Sequence, residues 1–418
     1  MSAGLALYRA GMGLLEPFAP AVLRRRARRG KEDPARVHER LGRPTTPRPA
    51  GPVVWLHGAS VGESLSLLPL IDRLRRDRPE LTLLATSGTV TSAELLARRL
   101  PEGVIHQYVP VDTPQAARRF LDWWRPDLAV FVESELWPNL LLGAKARGAK
   151  LALVSARLSK ESTGGWARVP AAARRLLGAF DLLLPQDDDT AARLSALGAR
   201  DDGRLNLKLA GDPLPADPET LAAVTSAAAG RPVLLAASTH PGEEEIVVDA
   251  FTLLPDKDAR LVIVPRHPAR GPEVARLGWD RGWHTERRNE GEPFGDARVY
   301  VADTLGELGV WFRLCTAAFV GGSLLPGVGG HNPLEPARLD RPAASGPHVE
   351  NWRSVYAALE REGGIRWVRD AAELAAFWRD ALEGRRSLCS QAEHARLFAK
   401  AQSGAVDDAV RRLLELIA

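Results

Sequence analysis

Short apolar runs separated by helix-length segments constrain this 418-residue chain more than any other feature. They occupy 53–56, 81–84, 128–132, 151–154 and 182–184 in the first half, and 233–235, 261–264, 299–301 and 318–320 in the second. Each reads as a buried strand, and stretches such as 64–76 and 92–100 between them read as helices. Strand and helix alternating in this way predict an α/β fold whose parallel sheets are covered on both faces. At 45% hydrophobic, the chain is long enough for two cores. The proline-rich segment 211–218 has no apolar period and reads as a linker. Two doubly wound domains, 31–212 and 213–418, are therefore expected, preceded by a distinct segment 1–30.

That segment is apolar-rich from Leu5 to Leu23, but Arg9, Glu16, Pro17 and Pro20 interrupt it, so it is not a clean spanning helix. No cleavage-site pattern follows, which argues against a secretory signal. A basic block follows instead, with arginine at 24, 25, 26, 28 and 29 and Lys31. An amphipathic segment beside a polybasic cluster suits adsorption to an anionic membrane face, and it equally suits a docked helix with a solvated basic side. Under the first reading, residues 1–30 are removable without loss of folding. The net charge of +4 does not describe a nucleic-acid binder. Cys315 and Cys389 lie far apart and outside any CxxC pair, which fits a reducing compartment and neither zinc nor a disulfide framework.

In open parallel sheets ligands bind beyond the carboxyl ends of the strands, and polar clusters follow these runs repeatedly. His57-Gly58-Ala59-Ser60-Val61-Gly62-Glu63 follows the first, and Glu133-Ser134-Glu135-Leu136-Trp137-Pro138-Asn139 follows the third. Glu63 is a candidate base, although a glutamate at a helix start also suits the helix dipole. Two acids as close as Glu133 and Glu135 imply shifted protonation if buried. In the second half, Arg266 and His267 at a strand end suit a phosphate, Arg266 by its forked donors. The glycine-rich segment Gly321-Gly322-Ser323 through Gly329-Gly330 reads as a phosphate loop, leading into a helix with Asn332 as cap and Pro333 in first position. Glu335 is then placed to accept from a sugar diol. Asp187-Asp188-Asp189 reads as a helix start rather than a metal set, and His57 and His240, without metal-ligand spacing, read as loop polar groups.

Taken in order, these motifs closely resemble the 3-deoxy-D-manno-oct-2-ulosonic acid (Kdo) transferases of lipopolysaccharide assembly. The resemblance also rests on Ala156-Arg157-Leu158-Ser159, Asn206-Leu207-Lys208, Ser238-Thr239-His240, Pro265-Arg266-His267-Pro268 and Gly329 through Pro336. It implies a GT-B glycosyltransferase with two Rossmann-like domains facing across a cleft. The donor it implies is CMP-Kdo, the acceptor a lipid A precursor of lipid IVA type, and the location the cytoplasmic face of the bacterial inner membrane. It implies Glu63 as general base, and Glu133 with Lys208 as transition-state stabilisers. CMP contacts are implied at Arg266 and His267, at Leu305, Gly306 and Glu307, and at Asn332, Pro333, Leu334 and Glu335. No cofactor and no metal are expected. The chain has Leu205 where the family motif carries glycine, so a positive φ there would misplace Lys208. Another sugar donor, another acceptor, or a silent sugar-nucleotide binder stay open as alternatives.

Overall fold

The computed structural model describes residues 2–418. The chain forms two compact units, residues 1–211 with 402–418, and residues 212–401. The first unit holds β1 (Val53–His57), β2 (Thr82–Ser87), β3 (Ile105–Tyr108), β4 (Leu128–Val132), β5 (Lys150–Ala156) and β6 (Leu182–Pro185). They form one parallel sheet in the order β3-β2-β1-β4-β5-β6, the Rossmann order. Every residue of β1 is buried, and alternate ones serve opposite cores. Val53 and Trp55 join the cluster with Phe120, Trp124 and Phe131, while Val54 and Leu56 join the one with Leu67, Leu70 and Leu74. Burial on both faces is the reason the strand reads as an unbroken apolar run.

The second unit has seven parallel strands: β7 (Val233–Thr239), β8 (Arg260–Pro265), β9 (Thr285–Arg287), β10 (Val299–Val301), β11 (Ala317–Val320), β12 (Ala343–Ser345) and β13 (Arg366–Trp367). Their order is β13-β12-β11-β7-β8-β10-β9. In each sheet the chain reverses its winding direction once, between β1 and β4 in the first and between β7 and β11 in the second. Strands diverging to opposite sides open a crevice at the carboxyl edge there.

Two domain expectations need correction. Residues 402–418 belong to the first unit, not the second, because Val406, Ala409, Val410 and Leu413 are buried with Leu67, Leu70 and Leu74. The expected separate segment 1–30, described from residue 2 onward, likewise packs on the first unit rather than standing apart. Helices Ala3–Leu15 and Ala19–Ala27 bury Leu5 and Leu23. Tyr8 donates from its hydroxyl to Asp112 Oδ2 (2.9 Å), and Glu16 accepts from Thr113 Oγ1 (2.8 Å) and the Ala116 amide (3.0 Å). The opposite face stays apolar and open, with Leu7, Leu14, Leu15, Phe18 and Val22 all more than half exposed. No helix among the described residues is long and apolar enough to cross a membrane.

Candidate active site

At the first unit's switch point, β1 ends in His57 and the chain turns through Gly58 into the helix Val61–Asp77. Gly58 is required there, since a Cβ would lie 2.9 Å from the Glu63 carbonyl carbon. Ser60 and Glu63 form a capping box: Ser60 Oγ accepts from the Glu63 amide (3.3 Å), and Glu63 Oε2 accepts from the Ser60 amide (2.9 Å). The cap orients the carboxylate without burying it completely. Partial burial raises the Glu63 pKa, the Ser60 amide works against that, and the negative charges of Glu135 and Glu133 add to it. Glu63 is therefore both a helix cap and a carboxylate of increased basicity.

On the other side of the switch point, β4 leads directly into Glu133, whose backbone is left-handed (φ 53°). Non-glycine residues in that region carry strain that the surroundings must hold. Two contacts hold it: Glu133 O accepts from the Arg157 amide (3.2 Å), and Glu133 Oε1 pairs with Lys208 Nζ at 2.7 Å. Lys208 is presented by the short turn Leu207–Leu209, where Asn206 Oδ1 accepts the Lys208 amide (3.1 Å). Ser155, itself left-handed at φ 51°, accepts the Leu207 amide on its hydroxyl (3.3 Å). Leu205 causes no misplacement. It has no positive φ and is buried in the core, while Gly203, two residues earlier, takes the turn at φ 123°.

Sequence reasoning misses one member of this site. His57 is not a loop residue; it is the fully buried last residue of β1 and lies 3.1 Å through Nε2 from Glu135 Oε2. Trp137 Nε1 donates to the same oxygen at 2.6 Å. Burial alone would raise the Glu135 pKa, but the hydrogen bond and charge of His57 outweigh it and bring it below the ordinary glutamate range. An adjacent strand terminus followed by an ExE pair is the available signal, but the contact spans 78 residues of sequence.

In the second unit, the β7–β11 switch point gathers His240, His267, Arg266 and His331. His240 and His331 stack with ring centres 5.1 Å apart, and their Nε2 atoms are 2.9 Å apart. One nitrogen must donate and the other accept, so the accepting imidazole is neutral. Burial pushes His331 down to about 4, with the cationic side chains of this edge adding to the effect. Arg266 and His267 are exposed at the end of β8. Ser238, just before His240, is another left-handed non-glycine residue (φ 56°).

The phosphate-loop expectation for Gly321, Gly322 and Ser323 is corrected by Glu243. Its fully buried carboxylate accepts the amides of Gly322 (2.6 Å), Ser323 (2.8 Å), Leu324 (2.9 Å) and His240 (3.0 Å). An internal anion has taken the amides that the sequence offers to an external one. Gly329 and Gly330 serve packing in the same way: both are left-handed, and a Cβ on Gly329 would meet Asn351 Nδ2 at 2.6 Å. The helix expected after Asn332 is a single turn, Leu334–Ala337, with Asn332 Oδ1 accepting the Leu334 amide (3.0 Å) and Pro333 in the cap position. One turn carries little dipole. Beside it, half-buried Glu335 is pushed up to about 7 by burial, against the pull of Arg338 and Arg266.

Leu305 and Gly306 form an exposed turn before the helix Leu308–Leu314. Glu307 is taken up by Arg288, which donates to both its oxygens at 3.1 and 2.7 Å, and by Thr304. Asp187 caps the helix Asp188–Ala196 as its sequence implies. Among the described residues no group of three His, Cys, Asp or Glu side chains is placed to hold a metal ion.

Solved structures with the same two-sheet architecture include a glycosyltransferase from Rickettsia africae (TM-score 0.57, covering 88% of this chain and 99% of that one) and MurG from Acinetobacter baumannii (TM-score 0.55, 88% and 100%). At 12% identity each shows fold alone. The fold is that of the GT-B glycosyltransferases. Residues 35–210 match the family model described as 3-deoxy-D-manno-octulosonic-acid transferase. Relatives bearing that name include those of Haemophilus influenzae (32% identical, 87% of this chain and 84% of the relative) and Bordetella pertussis (34%, 84% and 85%). A probable mitochondrial member from Arabidopsis thaliana is 32% identical over 90% of this chain and 87% of its own length. The chain belongs to the Kdo transferase family.

Proposed function

We propose that this chain transfers Kdo from CMP-Kdo to a hydroxyl of a lipid A precursor of lipid IVA type, with inversion, at the cytoplasmic face of the bacterial inner membrane. The observation that carries the reading is the first unit's constellation: a capped, basic Glu63 beside a Glu133–Lys208 pair held at 2.7 Å. Glu63 takes the acceptor hydroxyl proton as that oxygen bonds to the anomeric carbon. The bond from that carbon to the phosphate oxygen breaks, and CMP leaves with the electron pair. Lys208, oriented by Glu133, supplies positive charge where negative charge develops.

The second unit supplies donor contacts in this reading. Arg266 and His267 meet the phosphate, Glu335 accepts from the ribose diol, and the 305–307 and 332–334 turns wall the nucleotide. The amides of Gly322 and Ser323 are excluded from the phosphate contact, because Glu243 holds them. The cationic side chains do the work a metal would do, so transfer is expected to be indifferent to chelators. Mass spectrometry of a tetra-acylated lipid A precursor incubated with CMP-Kdo and the full chain should show a gain of one Kdo mass or a multiple. No gain, with CMP still bound, would move the assignment to another donor or acceptor.

The open apolar face of the amino-terminal helices, followed by exposed Arg24, Arg25, Arg28 and Arg29, supports adsorption to an anionic membrane. Burying one such side chain contributes about 1.5–3 kcal/mol. The double substitution Leu14→Glu, Phe18→Glu is therefore expected to weaken binding to phosphatidylglycerol vesicles by at least ~100-fold in a sedimentation assay. It should leave the thermal midpoint unchanged, since both side chains are exposed. Deleting 1–30 is a poorer test, because it removes the partners of Asp112 and Thr113.

A further inference from the structure

His57 and Glu135 have no part in the chemistry above, yet the polar atoms around them are committed. Trp55 Nε1, which can only donate, is 2.8 Å from Thr86 Oγ1. Thr86 Oγ1 is in turn 2.9 Å from His57 Nδ1. A carboxylate only accepts, so His57 Nε2, 3.1 Å from Glu135 Oε2, must carry a hydrogen. The Thr86 hydroxyl, accepting from Trp55, can give its own hydrogen to Nδ1. His57 Nδ1 also lies 3.2 Å from the Thr86 carbonyl oxygen, so either ring state leaves Trp55, Thr86 and His57 connected to Glu135, which Trp137 closes from the other side. Thr86 and His57 are fully buried, so no solvent substitutes for either.

The groups facing Glu135 are His57 from β1, Glu63 from the start of the helix Val61–Asp77, and Glu133 from its own loop. Glu133 is paired with Lys208 and Glu135 with His57, and the negative charges of both carboxylates raise the Glu63 pKa. Its loop begins at the strained Glu133 and ends at Trp137, the cap of the helix Pro138–Ala146.

We propose that His57 and Glu135 are a positioning pair for the transfer reaction: His57 fixes Glu135, and Glu135 pins the 133–137 loop to the end of β1 and sets a fixed negative charge beside Glu63. This rests on the reading of Glu63 as base. The pair acts through Glu63 and the 133–137 loop, so its loss is expected to act on turnover rather than on donor binding.

The test uses the full chain with CMP-Kdo and a tetra-acylated lipid A precursor, comparing Glu135→Gln, His57→Phe and His57→Gln across pH. Glu135→Gln and His57→Phe are expected to lower kcat by about 10- to 100-fold with the donor KM unchanged. In Glu135→Gln the acid limb of kcat/KM is expected to move to lower pH, because Glu63 loses a neighbouring negative charge, whereas His57→Phe keeps the Glu135 carboxylate and is read through kcat alone. His57→Gln, which can return an N–H near the Nε2 position, should recover part of the kcat loss seen in His57→Phe. Unchanged kcat in Glu135→Gln overturns the proposal. So does a loss that follows the thermal midpoint while the limb stays in place. Glu63→Gln run alongside separates the two ideas. Full activity there removes the base and this pair with it, whereas loss there with an unmoved Glu135→Gln profile removes the pair alone.

Discussion

Glu63→Gln is expected to lower kcat for Kdo transfer by about 10²–10⁴-fold, the usual contribution of a positioned general base. The substitution is informative because Glu63 has a second task. As third residue of the capping box it accepts the Ser60 amide at 2.9 Å, and a glutamine carbonyl can accept the same hydrogen bond. The helix cap therefore survives, the fold is retained, and the loss reports chemistry. CMP affinity, carried by the other unit, should be unchanged by titration calorimetry. In the unaltered protein the acid limb of kcat/KM should lie above the ordinary glutamate range of about 4.3, since burial and the Glu133 and Glu135 charges raise the Glu63 pKa. The base works ionised, so activity is present above that limb and lost as pH falls through it. Full turnover in Glu63→Gln would assign the residue to the cap alone.

Lys208→Met is expected to reduce kcat by about 10²–10³-fold, comparable with the loss of one preorganised electrostatic donor. Two effects add. The reaction loses its cation, and Glu133 loses the partner of its carboxylate beside Glu63 and Glu135. Lys208→Arg keeps the charge and should recover part of the rate, but not all, because a planar fork cannot reproduce a point contact at 2.7 Å. Lys208 is substantially exposed, so the thermal midpoint should move little. Wild-type turnover in Lys208→Met would remove the residue from the reaction.

Why some of the site is legible in sequence and some is not follows from particular residues. Glu63, Glu133 and Lys208 lie in motifs that stand directly after strands or in a short turn, where parallel-sheet topology delivers them to one edge. Glu243 shows the opposite case. The glycines at 321 and 322 correctly signal a close backbone approach, but the approaching group is an internal carboxylate 79 residues away from Gly322. His57 and His331 are equally obscure, since their roles depend on partners distant in sequence, Thr86 and Glu135 for one and His240 for the other, that no spacing rule connects. The short strands β3, β9, β12 and β13 escape a search for apolar runs because edge and near-edge strands need less of them.

By itself the sequence determined the two parallel sheets, the linker between them and the strand ends where chemistry collects. Those features follow from local burial and chain direction: a strand covered on both faces must be apolar, and a following helix must return over the sheet. Only the tertiary structure decided which polar groups satisfy one another. It placed residues 402–418 with the first unit, filled the glycine-loop amides with Glu243, and locked Glu135 onto His57. Hydrogen bonds and core contacts between distant segments depend on distances of a few ångströms that the chain order does not encode locally, and buried polar groups must find such partners wherever the fold brings them.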